Sequence, residues 1–266
     1  MLLGMAVFDT IENQRTEQTL QTLKSLENSV DWKKHRLVIS DNGSCEETQK
    51  LYRTAAQCFP LIVIHNGENL GTAKAVNKAW KLRIHGEHLC KMDNDVVISH
   101  PGWADEMEEV FSRDPSIGIC GLKRKDLAEC PDSSIPFYRS KLCMLPHEPG
   151  QRWIVVEECS HIMGTCQAFS SKLFEKIGYL YQGQDEGKLY GLDDSLASYR
   201  SMLAGFRNVF LPHILIDHID PGGNPYALWK NKQAEESLCF NGRENWFAKI
   251  KMEYRTGKRS LYWEDK

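Results

Sequence analysis

The first half of the chain alternates short apolar runs with longer amphipathic segments, and this alternation constrains the fold more than any other feature. The apolar runs have the length and the β-branched composition of strands, and the segments between them have the length of helices. The predicted strands are Leu2 to Phe8, Arg36 to Ser40, Leu61 to His65 and His88 to Met92. Strands that alternate with helices form a mostly parallel sheet, so we predict an α/β, doubly wound fold flanked by helices.

Start and stop signals place the helices between these strands. The predicted helices run from Arg15 to Leu26, from Ser44 to Ala56, from Thr72 to Ile84 and from Pro101 to just before Pro115. Ser44 and Glu47 have the spacing of a capping box, which predicts the start of the second helix.

The second half of the chain repeats strand patterns less regularly. Further strands are predicted at Ile117 to Leu122, Trp153 to Val156, Met163 to Ala168 and Val209 to His218, and two helices closed by Gly178 and Gly205 precede the last one. The segment from Lys123 to Gln151 has four prolines and little periodicity, so we expect a long surface excursion.

Composition and charge narrow the class of protein. The chain has 266 residues and a net charge of −3, so a basic surface for an anionic polymer would have to be local. The nine cysteines include no CxxC pair, which is typical of reduced, buried thiols. The opening residues resemble a first strand rather than a signal peptide, and no apolar run is long enough to span a bilayer. We therefore expect a cytoplasmic protein, in the host cytoplasm if the chain is of phage origin.

Two aspartates follow the fourth strand, in Asp93-Asn94-Asp95. A strand would present Asp93 and Asp95 on the same side, where their charges repel unless a cation lies between them. Mg²⁺ or Mn²⁺ is the usual partner of such a pair, whereas the simpler interpretation is a polar turn. Because ligands of doubly wound sheets bind beyond the carboxyl ends of strands, where Asp41 also lies, the sequence favours a site at this edge.

Taken in order, the motifs resemble those of a nucleotide-sugar glycosyltransferase of the GT-A fold, family-two type. The similar motifs are Asp41-Asn-Gly-Ser44, Asn69-Leu-Gly71 with Asn77, Asp93-Asn-Asp95, Gly164-Thr-Cys-Gln167, Asp193-Asp194 with Arg200, and His218. No single motif is specific, but six in this order between Leu3 and Asp220 give a strong resemblance.

The resemblance implies a function for each of these positions. Donor contacts are expected from Asp41, which would hold the nucleoside base, and from Phe8, Thr10, Asn69, Gly71, Lys74, Asn77 and Asp93. The implied metal ligands are Asp95, Asp93 and His218, although His218 could instead bond to Asp217 or Asp220. The implied catalytic base is Asp194 or Asp193, because an aspartate replaces the glutamate of the family's "ED" pair. A simpler interpretation is that both aspartates stabilise the N-terminus of a helix through its dipole.

The implied activity is metal-dependent, inverting transfer of a sugar from a nucleoside diphosphate sugar, most often a UDP-sugar, with Mn²⁺ or Mg²⁺. A sugar nucleotidylyltransferase is the alternative, but it usually has a Gly-rich basic loop where this chain has Asp9 to Asn13. A non-catalytic nucleotide-sugar-binding module is a further alternative, although it should have lost Asp95 or the late aspartate pair.

The sequence leaves the acceptor and the oligomeric state open. A glycan, a lipid-linked intermediate, a protein or a hydroxymethylated DNA base would each suit the implied chemistry. A local group of basic residues could bind a phosphate backbone. A simpler interpretation is that these side chains form solvated, charged surface. The residues are Lys74, Lys78, Lys81, Arg83 and Lys123 to Lys125.

The resemblance also implies a division of the chain. We expect a catalytic domain over residues 1–222, with a nucleotide-sugar half at about 1–98 and an acceptor half at about 99–222. Residues 223–266 are expected to form a helical extension packed on that domain.

Overall fold

A computed structural model describes residues 1–126, 141–181, 193–220, 243–265, Pro225 and Leu228. The strands are β1 (Leu2–Val7), β2 (Arg36–Asp41), β3 (Leu61–His65), β4 (Leu89–Met92), β5 (Val96–Val97), β6 (Ile117–Arg124), β7 (Lys141–Met144), β8 (Val155–Glu158), β9 (Cys166–Phe169) and β10 (Arg207–His218). The helices are α1 (Thr16–Ser29), α2 (Glu46–Cys58), α3 (Thr72–Trp80), α4 (Trp103–Arg113), α5 (Ser171–Ile177), α6 (Asp193–Leu203) and α7 (Arg243–Arg255). The α/β class predicted from the sequence is confirmed.

The strands form one mixed sheet in the order β3-β2-β1-β4-β9-β6-β10-β8-β7, and β5 pairs with β10 beside it. The first four strands pair in parallel, as do β6 and β10. Strand β9 lies antiparallel between β4 and β6. Because Met92 pairs with Cys166 there, the residues that precede β9 lie beside the residues that follow β4.

Helices cover both faces of the sheet, as expected for a doubly wound fold. Helices α1, α2 and α4 pack on one face through side chains such as Leu26, Tyr52 and Trp103. Helices α3, α5 and α6 pack on the other face, where Trp80 is fully buried. Burying one large apolar side chain contributes roughly 1.5–3 kcal/mol, so these two layers hold the strand ends in place.

Several local predictions are wrong. Ser44 does not cap α2: Cys45 is the N-cap residue and no side chain bonds there, because the Ser44 hydroxyl accepts from the Asp9 amide at 3.0 Å. Helix α3 ends at Trp80 rather than Ile84. Strand β7 lies within the predicted surface excursion, whose residues 127–140 fall outside the described part of the chain.

Residues 261–265, here called the C-terminal strap, bind helices from both halves of the chain. Trp263 donates its amide to Ile177 at 2.8 Å and accepts from Tyr179 at 2.9 Å. The buried Arg200 guanidinium donates to the carbonyls of Ile177, Tyr179 and Leu261, and burial lowers its pKa to about 10. Arg200 therefore has a structural function, whatever it contributes to the motif that suggested it.

Helix α7 packs on α6 through a small cluster of Tyr181, Leu196, Tyr199, Ile250 and Tyr254. None of the helices in the described ranges has both the length and the apolarity needed to cross a bilayer.

Candidate functional site

The carboxyl ends of β1, β2 and β4 meet at one edge of the sheet, because these strands are parallel and in register. Val7 pairs with Asp41, and Met5 pairs with Met92. Asp41 and Asp93 therefore lie at the same edge, which is where the sequence predicted a ligand site.

Asp41 is buried and held by three neighbours. Its carboxylate accepts from the Tyr52 hydroxyl at 3.1 Å and from the Ser44 amide at 3.2 Å, and His65 Nδ1 lies 3.3 Å away. Burial and the Asp41 charge raise the pKa of Tyr52 far above its ordinary value, so the phenol stays a donor. The carboxylate thus has a fixed orientation at the strand end, and its predicted contact with a nucleoside base stays a prediction.

The turn before α3 is built by asparagine side chains. Asn69 Oδ1 accepts from the Gly71 amide at 3.0 Å and from Asn42 Nδ2 at 3.2 Å. Gly71 has a φ of +79°, a conformation that favours glycine. The two predicted donor residues Asn69 and Gly71 therefore shape this loop together.

Two other predicted donor residues lie on the loop after β1. Asn13 closes this loop: it accepts from the Thr10 amide at 2.8 Å and donates to the Phe8 carbonyl at 2.7 Å. Phe8 and Thr10 are both partly exposed at the sheet edge.

On α3, Lys74 and Asn77 differ in what they offer to a ligand. Lys74 is partly exposed, whereas Asn77 is fully buried. The Asn77 amide bonds to the backbone of Leu180 at 2.8 and 2.9 Å and to Asp265 at 3.2 Å. In the described structure the Asn77 amide thus joins α3 to the segment after α5 and to the C-terminal strap. These bonds use the amide that was predicted to contact the donor.

A carboxylate and histidine cluster forms where β5 pairs with β10. His218 pairs with Val96, which places His218 Nε2 3.4 Å from Asp95 Oδ2. One ligand atom from each of Asp95, His218 and Asp220 lies within 4.8 Å of the others. Asp95 and His218 were predicted, and Asp220 replaces Asp93 in this group.

Arg15 lies against the same carboxylates. Its Nη2 is 2.7 Å from Asp95 Oδ2, and its Nη1 is 3.9 Å from Asp220 Oδ1. Burial opposes ionisation of Asp95, but His218 and Arg15 together hold its pKa well below the ordinary value. Asp95 is therefore an anion, which is the form that binds a metal ion.

The cluster fits a hard divalent cation. Asp95 Oδ1 is buried and has no hydrogen-bond partner among the described residues, so one ionised oxygen is left to coordinate. Two carboxylates with one imidazole are suitable ligands for Mn²⁺, and carboxylate oxygens suit Mg²⁺ as well.

Asp93 and Asp95 have different surroundings, contrary to the strand argument, because β4 ends at Met92. Asp93 is partly exposed and lies 3.3 Å from Lys91 Nζ. Lys91 is a buried residue of β4 that also donates to the Gly164 carbonyl at 2.9 Å and lies 3.6 Å from Asp193 Oδ2. Burial disfavours the Lys91 charge, yet the three aspartates around it raise its pKa above the ordinary value.

The predicted base candidates begin α6. Asp194 accepts from the Gly164 amide at 3.1 Å and from the Ser195 amide at 2.7 Å, and 28% of its side chain is exposed. Burial and the nearby acids raise the pKa of Asp193 to about 6, against the pull of Lys91. A Cβ at Gly164 would lie 2.3 Å from Lys91 Nζ, so glycine permits this close approach.

Asp9 holds Asn94 in place beside the Asp95 cluster, and the sequence analysis did not predict Asp9 as a site residue. It is fully buried and accepts from Thr19 at 2.5 Å, Thr48 at 3.2 Å and Asn94 at 2.9 Å. Burial outweighs these bonds and raises the pKa of Asp9 to about 6. Asn94 is thereby fixed between Asp93 and Asp95.

Comparisons with known proteins identify a family for the chain and solved structures of similar fold. The family model described as "Glycosyl transferase family 2" matches residues 12–178, more than half of the chain. No match is found among curated protein sequences.

Two solved structures illustrate the shared fold. The mannosyltransferase PcManGT from Pyrobaculum calidifontis, in complex with GDP-Man and Mn²⁺, is similar with a TM-score of 0.62 and 18% identity over 88% of this chain and 60% of that one. Residues 1–349 of TarS from S. aureus, in complex with UDP-GlcNAc, are similar with a TM-score of 0.58 and 15% identity over 85% of this chain and 61% of that one. The chain thus spans less than two thirds of either structure, and the likeness is one of fold.

Proposed function

The chain belongs to glycosyl transferase family 2, and we propose that it transfers a sugar from a nucleoside diphosphate sugar to an acceptor hydroxyl with a divalent metal ion. One observation carries the proposal: the Asp95 cluster and the α6 carboxylates lie at the same sheet edge, joined by the contacts of Lys91 with Asp93 and Asp193. Similar folds that hold GDP-Man or UDP-GlcNAc support this donor class.

The donor would lie along the carboxyl edge of the sheet. Asp41 would accept from the nucleoside base, and the loop of Phe8 and Thr10 with the Asn69–Gly71 turn would enclose the nucleoside. A UDP-sugar is the donor that we propose to test first. Lys74 extends from the adjacent helix and would add a positive charge near the phosphates.

The metal would be held by Asp95, His218 and Asp220, with Asp93 close by. When bound, Mn²⁺ or Mg²⁺ neutralises the charge that develops on the leaving diphosphate. Arg15 is fixed against the same carboxylates and supplies a second positive charge at this point. The protein thus concentrates cationic charge where the leaving group becomes more negative.

The base would be Asp194, with Asp193 behind it. Asp194 is the more exposed of the two, and its orientation is fixed by the Gly164 and Ser195 amides. Its carboxylate would take the proton of the acceptor hydroxyl as the oxygen attacks the anomeric carbon. A single displacement of this kind inverts that carbon.

For the acceptor, the contacts of the basic residues favour a molecule other than a nucleic acid. Lys81 lies 2.8 Å from Asp265, Lys123 lies 2.9 Å from Glu157, and Arg124 pairs with Asp126. These ion pairs offset three of the seven basic charges that could attract a phosphate backbone. We propose a glycan or a lipid-linked intermediate as the acceptor.

A donor screen tests the proposal. Purified protein with Mn²⁺ is incubated with UDP-, GDP- and dTDP-sugars and an acceptor panel that includes hydroxymethylated DNA, and free nucleotide is measured. We expect acceptor-stimulated release from one donor, with Asp95→Asn as the inactive control. Release of pyrophosphate from a sugar phosphate and a nucleoside triphosphate would instead indicate a nucleotidylyltransferase. Transfer to hydroxymethylated DNA that weakens as salt rises would contradict the proposed acceptor class.

A further inference from the structure

A second group of metal-binding side chains lies away from the Asp95 cluster. It consists of His100, Glu106 and His213, and one ligand atom from each lies within 4.8 Å of the others. His100 follows β5, Glu106 lies in the first turn of α4, and His213 belongs to β10. Because β5 pairs with β10 through Val97 and Asp217, the two groups lie toward opposite ends of one two-stranded ribbon.

The buried member of the group is Glu106. Its side chain is only 3% exposed, which is rare for a carboxylate and requires polar partners. Oε2 lies 2.9 Å from Arg152 Nη1, whereas Oε1 faces His213 Nε2 at 2.8 Å. One oxygen is thus held by an arginine, and the other is directed toward the two histidines.

The two histidines meet on the surface beside this oxygen. Their rings lie edge to face with centroids 5.9 Å apart, and His213 is 45% exposed. Neutral imidazoles near each other can share a metal ion, and exposed rings can rotate to reach it. Solvent reaches the group as well, so an ion has an entry path and water is present to complete its coordination.

We propose that His100, Glu106 and His213 form a binding site for a transition-metal ion of the zinc class. Zn²⁺ binds histidine nitrogen and carboxylate oxygen at about 2.0–2.2 Å, commonly with three protein ligands and one water. Two imidazoles with a single carboxylate favour Zn²⁺ or Ni²⁺ over Mg²⁺, which prefers oxygen ligands. The site therefore differs in metal preference from the carboxylate-rich Asp95 cluster.

The charges around the group permit a cation. Arg152 is the cation bonded to Glu106, but it also lies 2.6 Å from Glu109, which in turn pairs with Arg113. Glu109 thus offsets part of the repulsion between Arg152 and a bound ion. A metal ion there would tie α4 to β10 and to the segment after β5, while Asp95 and His218 lie at the other end of the β5–β10 pair.

Zn²⁺ titration of the metal-stripped 266-residue chain tests the site. The measurements use the Asp95→Asn background, because the first cluster could also take Zn²⁺. In this background we expect one Zn²⁺ to bind and to raise the melting temperature, while Mg²⁺ at the same concentration does neither. Adding His100→Ala should weaken Zn²⁺ binding by about tenfold or more. His100 is exposed, so this change should leave folding intact.

His147→Ala serves as a matched control, because His147 is also an exposed histidine but lies against Trp153, outside the group. X-ray absorption of the zinc-loaded Asp95→Asn protein should show two imidazole ligands. Equal Zn²⁺ affinity in the His100→Ala and His147→Ala proteins, or no Zn²⁺ binding in the Asp95→Asn background, would overturn the proposal. Because every measurement is made without donor or acceptor, the result is independent of the proposed transferase activity.

Discussion

The ammonium group of Lys91 lies 3.6 Å from the Asp193 carboxylate, in the protein interior between β4 and the start of α6. Lys91 also contacts Asp93 and the Gly164 carbonyl. This one side chain thereby connects the aspartates that follow β4 with the carboxylates proposed for proton transfer. Three carboxylates converge there, and one buried cation offsets part of their repulsion.

Replacing Lys91 should therefore impair catalysis more than donor binding. In Lys91→Met the Asp93 and Asp193 carboxylates lose their shared cation, so the repulsion among them and the nearby Asp194 is no longer offset. We expect kcat to fall by roughly a hundredfold, with a smaller change in the KM for the donor. Lys91→Arg keeps the charge and should recover part of kcat. Equal loss in both variants would show that fit rather than charge matters at this position.

The Asp95 cluster predicts an absolute need for a metal ion. Asp95→Asn should lower turnover by roughly a hundredfold or more, because the leaving diphosphate loses its counter-charge. Asp220→Asn should cost less, since Asp95 and His218 remain. Steady-state rates with Mn²⁺, and after treatment with EDTA, measure this effect. Full activity in EDTA would refute the metal site.

Substitutions of the α6 carboxylates should change the turnover rate without changing the affinity for the donor. Asp194→Asn should retain donor affinity and lose turnover, whereas Asp193→Asn should lose less, because Asp193 is the more buried of the two. Isothermal titration with the donor, followed by rate measurement, distinguishes the two effects. If Asp193→Asn is instead the inactive variant with intact binding, the base is Asp193.

The raised pKa of Asp9 should make the free energy of unfolding depend on pH. Folding raises its pKa from 3.8 to about 6, so the folded protein binds more protons than the unfolded chain between these values. The contribution of Asp9 to the free energy of unfolding should therefore increase as the pH falls from about 6 to 4. Relative to Asp9→Asn, the metal-free wild type should gain roughly 2 kcal/mol between pH 7 and pH 4.

Urea unfolding at the two pH values measures this difference. Glu12→Gln, at an exposed acidic residue, provides the control and should follow the wild type. Parallel pH profiles for wild type and Asp9→Asn would show that folding leaves the pKa of Asp9 unchanged.

Replacing Arg200 should lower the stability of the fold although no carboxylate loses its counter-charge, because Arg200 bonds to backbone carbonyls. Arg200→Met withdraws donors from the carbonyls of Tyr179 and Leu261, while Ile177 keeps the Trp263 amide. We expect a cost of about 3 kcal/mol or more, seen as a lower melting temperature. Tyr262→Ala, in the same strap but 47% exposed, should cost little. Similar losses in both variants would mean that strap packing, not these bonds, sets the stability.

Strands were predictable because a short apolar run between turn residues allows few other structures. β3 has the predicted bounds, and Asp41 ends β2 as expected for a residue at the ligand edge. Helix ends were less predictable: α3 stops at Trp80, where the buried indole packs against Phe169 and Phe174 rather than continuing the amphipathic pattern.

Contacts between distant parts of the chain account for the site residues that the sequence missed. Asp220 joins Asp95 only because β10 pairs back onto β5, a pairing that no local pattern encodes. Arg15 directly precedes α1, whereas the helix was predicted to begin at Arg15, and the direction of its long side chain depends on the final packing. Lys91 could have been identified from the sequence, because burying a lysine inside an apolar strand costs free energy unless carboxylates lie beside it.

The C-terminal strap makes the order of synthesis matter for this fold. Asn77 on α3 bonds to Asp265, 188 residues later in the chain, and Trp263 bonds to the last residue of α5. A ribosome adds roughly 5–20 residues each second, so about ten seconds or more pass between the emergence of these two partners. During that interval Asn77 lacks its bond to the strap, although its bonds to Leu180 can already form. A nascent chain should therefore complete the packing around α3 only after Asp265 has left the ribosome, long after α3 itself has been synthesised.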